Sequence, residues 1–397
     1  MFFYEISLFF FFIKKYKLLC CGAFEGTSLK KVDIPDSVIT IDDEAFKDTS
    51  LTEVDIPDSV ITIGDFTFKD CKNLISVKIG NKVETIGKGA FRDTSLTEVN
   101  IPDSVITIGD FAFDRVKTLN NVKIGNKVET IGDRAFSYTS LTEVNIPDSV
   151  ITIGNFAFEV EKLNNVKIGN KVETIGYGAF SNTSLTEVNI PDSVETIGDN
   201  AFYEVNTLTK VTIGKKVITI GDTAFKGTSL TEVDIPDSVI TIGNAAFDRV
   251  KTLNNVKIGN KVETIGDDAF LDTSLTEVDI PDSVITISNN AFKYCINLTS
   301  VKIGNKVKII GSEAFFGTSL TNVVIPESVI TIGPKAFKGI ETLTNVIIRG
   351  NSKTIGDYAF KDTSLTKVNV PKGVTISQKA FDENVILKFI RWRAKLA

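Results

Sequence analysis

Leucines recur along this chain at a spacing that never departs from 22 or 23 residues, beginning Leu29, Leu51, Leu74 and ending Leu320, Leu343, Leu365. A period this regular overrides the usual expectation that 397 residues divide into two or three globular domains. Within each unit the apolar positions hold fixed offsets: Leu51, Val54, Ile56, Val60, Ile63 and Phe68 are matched by Leu74, Val77, Ile79, Val83, Ile86 and Phe91. The extra residue of the longer units enters between the phenylalanine and the next leucine, as in FKDCKNL against FKDTSL. That gap therefore reads as a surface loop that tolerates insertion.

Alternating apolar and polar residues in LTEVDI and SVITI predict two short strands per unit, the first closed by Pro57 or Gly80. Each unit is then one coil of a repeat solenoid, and coils must stack, because one coil cannot bury enough apolar surface to offset the entropy of ordering it. Gly64, Gly87 and Gly109 follow the second strand, where a missing Cβ permits a tight corner or a close backbone approach. Asp42 and Ser288 stand in the same place, so a left-handed backbone is not demanded there. The series Phe24, Phe46, Phe68, Phe91, continuing to Phe360 and Phe381, should form a stacked internal spine. The expected organisation is an apolar N-terminal segment or cap over 1–21, the solenoid over 22–381, and a basic C-terminal cap over 382–397. Residues 1–21 place lysines after the apolar stretch rather than before it, and Glu5 and Ile13 leave that stretch shorter than a membrane-spanning helix needs. A cap is the expectation, with a non-standard signal or anchor as the alternative, so membrane association stays open.

Composition narrows the chemistry. Apolar residues make up 42% and charged residues 24%, as in a folded soluble protein. Acidic residues outnumber basic ones 50 to 44, with no basic stripe for a phosphate backbone, which argues against nucleic acid as a partner. The chain has no histidine, hence neither the commonest general base nor the commonest metal ligand. Carboxylates recur in register instead of clustering, so neither an enzyme, a cofactor nor a metal is expected. Cys71 and Cys295 each follow a repeat phenylalanine by three residues and read as small packed side chains. Asn182 and Asn297 fit a glycosylation sequon, but Ser and Thr are built into that loop and coincidence accounts for both.

Two kinds of coil alternate. The IPDSV kind carries Glu53, Glu98, Glu143, Glu187, Glu232 and Glu277 at its outward third position; the IGNKV kind carries Lys78, Lys123, Lys167, Lys257 and Lys302 at its outward fifth. Unlike charges should thus meet on adjacent rungs of a soluble sheet face.

The stretch LTEVDIPDSVITIGDFTFKDCKNLISVKIGNKVETIGKGAF resembles the BspA-like leucine-rich repeats, with their signature L-x-x-V-x-I-P-x-x-V-x-x-I-G-x-x-A-F-x-x-C-x-x-L. The likeness runs from about Gly22 to Phe381. It implies a right-handed, β-rich leucine-rich-repeat solenoid with a parallel sheet and about sixteen coils, of a kind displayed on cell surfaces and associated with adhesion to matrix proteins or other cells. The family's cysteine after Ala-Phe is mostly replaced here, for instance by Thr49 and Thr94, and the termini show no clear export signal or wall-sorting motif. The expected function is binding or adhesion to protein or cell-surface ligands, at the cell surface or outside the cell; an intracellular interaction scaffold is the alternative, and the oligomeric state is open.

Identical coils cannot by themselves make one special place, so a site should lie where the rule breaks. Near the C-terminus the fifth-position series Lys257, Asp279, Lys302 gives way to Val324 and Ile347, beside the third-position Asn322 and Asn345. Ser352 there replaces an inward valine, RGN replaces GNK, and Pro334 appears. Asn322, Val324, Asn345 and Ile347 form the candidate recognition patch; decay of the last coils before a cap explains the same departures.

Overall fold

The computed structural model describes residues 17–350 and 354–390. The expected terminal caps lie partly, and Ser352 wholly, outside them. The chain is a parallel-sheet solenoid of about sixteen turns, with no helix among the described residues. It divides into two compact units, Met1–Val194 and Glu195–Ala397.

In the first unit each coil contributes a Thr-Ile strand such as Thr62–Ile63, Thr85–Ile86 and Thr107–Ile108. These pair in parallel, threonine to threonine and isoleucine to isoleucine. Period-two alternation turns the isoleucines into the core, where Ile63, Ile86 and Ile108 are fully buried. The second unit repeats the arrangement through Thr219–Ile220, Thr241–Ile242 and onward to Thr375–Ile376. A direct register of this kind is what a strict repeat imposes: shifting one coil by a single residue would turn its isoleucine out to water.

The phenylalanine spine is present in both units. From Phe24 to Phe180 neighbouring ring centroids lie 5.1 to 5.6 Å apart with planes within 8° of parallel. From Phe202 to Phe381 the separations are 5.0 to 5.4 Å. The coil rise of about 4.8 Å sets this separation, so the rings stack as the backbone spacing dictates. Cys71 and Cys295 pack beside the spine; their thiols lie 3.0 and 3.1 Å from the carbonyls of Phe46 and Phe270. Burial pushes the Cys295 thiol up to about 11, which makes it a poor nucleophile.

The glycines after the second strand serve close approach. None of Gly64, Gly87 and Gly109 has a positive φ, and a Cβ built on Gly87 would sit 2.5 Å from the backbone carbon of Gly64 one coil back. The Gly87 amide donates to Ile63 at 2.8 Å; where Ser288 replaces the glycine, the equivalent bond to Ile265 lengthens to 3.1 Å. Left-handed backbone falls two residues further on, at Phe66, Phe111, Phe156, Thr223 and Ala245, and at Gly89 and Gly178 in the same column. For a residue with a Cβ this conformation costs about 1 kcal/mol. It is held by bonds to the next coil: the amides of Phe66 and Phe68 donate to Lys88 and Ala90 at 2.7 Å.

Two substitutions separate these roles. Ala245→Gly removes the strain at φ 50° and is expected to raise the urea midpoint, worth about 1 kcal/mol. Gly87→Ala is expected to cost roughly 2 kcal/mol or more by forcing adjacent coils apart. Equal effects of the two, in either direction, would contradict the assignment.

Candidate binding surface

Within each unit the first strands of the coils line one face, and there the ladder is broken into pairs. Glu53–Asp55 pairs with Ser76–Lys78, and Glu98–Asn100 with Asn121–Lys123; in the second unit Glu232–Asp234 pairs with Asn255–Lys257, and Glu277–Asp279 with Ser300–Lys302. Proline marks the break in the regular coils, although Pro371 at the same position leaves the later ladder unbroken. Ile56 donates its amide forward to Lys78 at 2.8 Å, so by alternation Pro57 points back toward the preceding coil, where it has no N–H to give. On the forward side Gly80 lies so close to Pro57 that a Cβ would be 2.3 Å from its carbonyl oxygen. Proline opens one junction and glycine closes the next. The open junctions of the second unit are clefts of about 770 and 630 Å³, lined by Lys210, Glu232 and Pro236 in one and Lys257, Glu277 and Pro281 in the other.

The register corrects the expected charge pairing. In a parallel pair like offsets oppose, so Glu53 faces Ser76 and Lys78 faces Asp55, the fifth-position residue of its neighbour. Ion pairs join Asp55 to Lys78 at 3.1 Å, Asp234 to Lys257 at 3.1 Å and Asp279 to Lys302 at 2.9 Å. All are well exposed, so they set surface charge and add little stability. Asn100 and Asn145 take the aspartate's place opposite Lys123 and Lys167. The alternation of Asp or Asn with Lys at the fifth position was the sequence signal for this.

The pattern changes at Asn322–Ile325, Asn345–Ile348, Lys367–Pro371 and Ile386–Ile390, which form a continuous four-stranded parallel sheet. Asn322 pairs with Asn345 and Val324 with Ile347, so all four residues of the candidate patch come together on two adjacent strands. Both asparagines are exposed, Val324 is 39% exposed and Ile347 is half-buried, while Val323 and Val346 between them fill the core. Arg349 stands where Gly304 and its equivalents meet the proline carbonyl. The chain stays extended through Ile348, the Arg349 amide donates to Ile325 at 2.9 Å, and Ile347 reaches Asn369 of the third strand. Val324, Pro326, Lys302 and Arg349 line a cleft of about 280 Å³ at the leading edge of this sheet. No outward residue of the four strands is acidic; Lys367 and Lys388 are both basic.

Sequence reasoning missed two buried carboxylates under the Phe-to-Leu loops. Asp114, 3% exposed, accepts an ion pair from Arg92 at 3.1 Å, and Asp248, 4% exposed, from Lys226 at 2.9 Å. Their signal is the string FDRVKTLNNVKIGNKVETIG, which occurs twice. Burial holds the Asp114 carboxyl above its ordinary value of 3.8 against the opposing pull of Arg92 and Arg115. Among the described residues no group of three or more His, Cys, Asp or Glu could hold a metal ion. No helix among them is long and apolar enough to cross a membrane.

A carboxyl whose pKa is higher folded than unfolded stabilises least when ionised, so its contribution falls as pH rises above 3.8. The wild-type urea midpoint, referenced to that of Asp114→Asn, is expected to decline as pH is raised from about 3.5 to 6. A difference that stays flat or rises would show that the Arg92 pair dominates burial.

A model of the BspA-type leucine-rich repeat region, six copies long, matches residues 2–106, 85–207, 178–295 and 263–388. Among solved structures, a leucine-rich repeat protein from Bacteroides ovatus is 29% identical, with a TM-score of 0.70 over 89% of this chain and 88% of that one. A leucine-rich cell surface protein from Faecalibacterium prausnitzii is 24% identical over 82% of this chain and 87% of that one, with a TM-score of 0.40. The pneumococcal vaccine antigen PcpA is 17% identical over 80% and 86%, with a TM-score of 0.45. No curated protein was found to match the chain in sequence. With coil, spine and consensus agreeing over nearly its whole length, the chain belongs to the BspA-type leucine-rich repeat family.

Proposed function

We propose that this chain is a non-enzymatic recognition protein, displayed at a cell surface, which binds protein or matrix ligands through the first-strand face of its coils. The observation that carries this reading is local. On a face where rung after rung presents charged pairs, Val324 and Ile347 present apolar side chains on laddered strands, flanked by Asn322 and Asn345. A desolvatable apolar centre bordered by amides is how an interface core differs from the rest of a polar surface. The clefts along the second unit add polar edges that let a large ligand make many weak contacts. Family membership supports the same reading, as does a sequence without histidine.

The test is binding of the purified full chain to a panel of extracellular-matrix proteins and to intact cells. Val324→Glu combined with Ile347→Glu is expected to weaken capture about tenfold or more, a typical loss for two central contacts. Glu53→Gln, in a first strand of the first unit, should leave it unchanged. Absence of binding to every surface, or a double variant that binds like wild type, would refute the reading.

A further inference from the structure

The residue just before each Thr-Ile strand forms a column separate from the first-strand face. In the second unit Ile240, Glu263, Ile285, Lys308 and Ile330 occupy it on successive rungs, each amide donating to the carbonyl of the residue one rung back at 2.8 or 2.9 Å. All five are exposed, the isoleucines by 37 to 44%. In the first unit the column runs Ile61, Glu84, Ile106, Glu129, Ile151, with both charges acidic. Lys308 reverses that sign. In the same coil Ile309, 43% exposed, takes the strand position that Thr286 and Thr331 hold on the adjoining rungs. Two departures from the repeat thus fall side by side on one exposed strip.

The reversed charge makes the strip complementary to itself. Ile285 is its centre, with Glu263 one rung before it and Lys308 one rung after. Set against a second copy with the rung order reversed, about a two-fold axis along the Ile285 strand, Ile240 meets Ile330, Ile285 meets Ile285, and Glu263 meets Lys308 twice. The same operation about Ile106 would oppose Glu84 to Glu129, so the first unit lacks this match. Lys261 and Lys306, in the turns before the strip, would also face each other. They lie at its exposed border, where salt screens them, whereas Glu263 and Lys308 are flanked by isoleucine rungs that exclude water and strengthen their attraction. We propose that the chain associates with a second copy of itself through this strip, as a weak two-fold dimer. An unlike partner would give no reason for acid and base to stand equally far from one isoleucine. At about 4.8 Å per rung the strip is about 20 Å long, short of a standard interface, so association is weak. No residue of the Val324 patch takes part.

Sedimentation velocity of the full chain over roughly 10 to 500 µM, the range that suits so small an interface, is expected to show a monomer–dimer equilibrium. Lys308→Glu sets a second carboxylate against Glu263 of the other copy and is expected to weaken association about tenfold or more. Glutamate already holds this position at Glu84, Glu129 and Glu173, so the variant should fold, which circular dichroism checks. Adding Glu263→Lys exchanges the two charges and should restore the dimer, a recovery that a local effect of either charge would not give. Ile285→Glu, at the axis, should disperse it as Lys308→Glu does. Val324→Glu combined with Ile347→Glu should leave the equilibrium unchanged, so failure of the binding reading and failure of the dimer are told apart. A monomer at every concentration, a dimer indifferent to Lys308→Glu, no recovery in the exchanged variant, or dispersal by the Val324 and Ile347 pair would overturn the proposal.

Discussion

The structure depends on how closely one coil can lie against the next. Parallel strands need their backbones about 4.8 Å apart, and at the corner after most Thr-Ile strands a glycine without Cβ eases the approach, Asp42, Ser288 and Ser377 standing there in the remaining coils. Gly87 against Gly64 is the clearest instance. Once that contact is made, the rest follows from register: isoleucines stack on isoleucines, phenylalanine rings fall 5.0 to 5.6 Å apart, and the turn between them bonds forward at alternate residues. Several of those turn residues sit at positive φ despite carrying side chains. Local strain is tolerated because each such residue is held by its neighbouring coil.

The same economy explains the face. Proline and glycine alternate at one position of successive coils, so the first-strand ladder is closed forward and open backward, giving pairs of strands separated by clefts. This arrangement limits uninterrupted edge and sheet, and with exposed Asp–Lys pairs it keeps a long surface soluble. Where Arg349 takes the glycine's place the ladder runs on through four strands, and the charged rows give way to amides, aliphatics and lysines. One backbone change thus accompanies both the continuous sheet and its different surface chemistry.

Much of this was legible from residue spacing alone. The fixed Leu, Val, Ile and Phe offsets mark the core, and Cys71 and Cys295 are buried beside the spine as their places after Phe68 and Phe292 suggested. What was not legible depends on pairing rather than pattern. That Lys78 faces Asp55 and not Glu53 needs the parallel register. The pairwise break needs the direction in which Pro57 points. The left-handed column could have been suspected from Gly89, Gly178, Asn200 and Asn290, but Phe66 and Ala245 in the same column conceal it. Asn322, Val324, Asn345 and Ile347 were singled out because they break the repeat.

Hydrogen–deuterium exchange across the full chain bears most directly on the central claim that each coil is held by its neighbours. Amides that bond across the coil junction, such as those of Gly64, Gly87 and Gly109, should be protected at the 22- or 23-residue period of the leucines. Amides of the intervening Phe-to-Leu loops that make no such bond should exchange faster than those that do, such as Asp70 and Asp93. Protection in long unbroken blocks, or none with that period, would contradict a stack of coils.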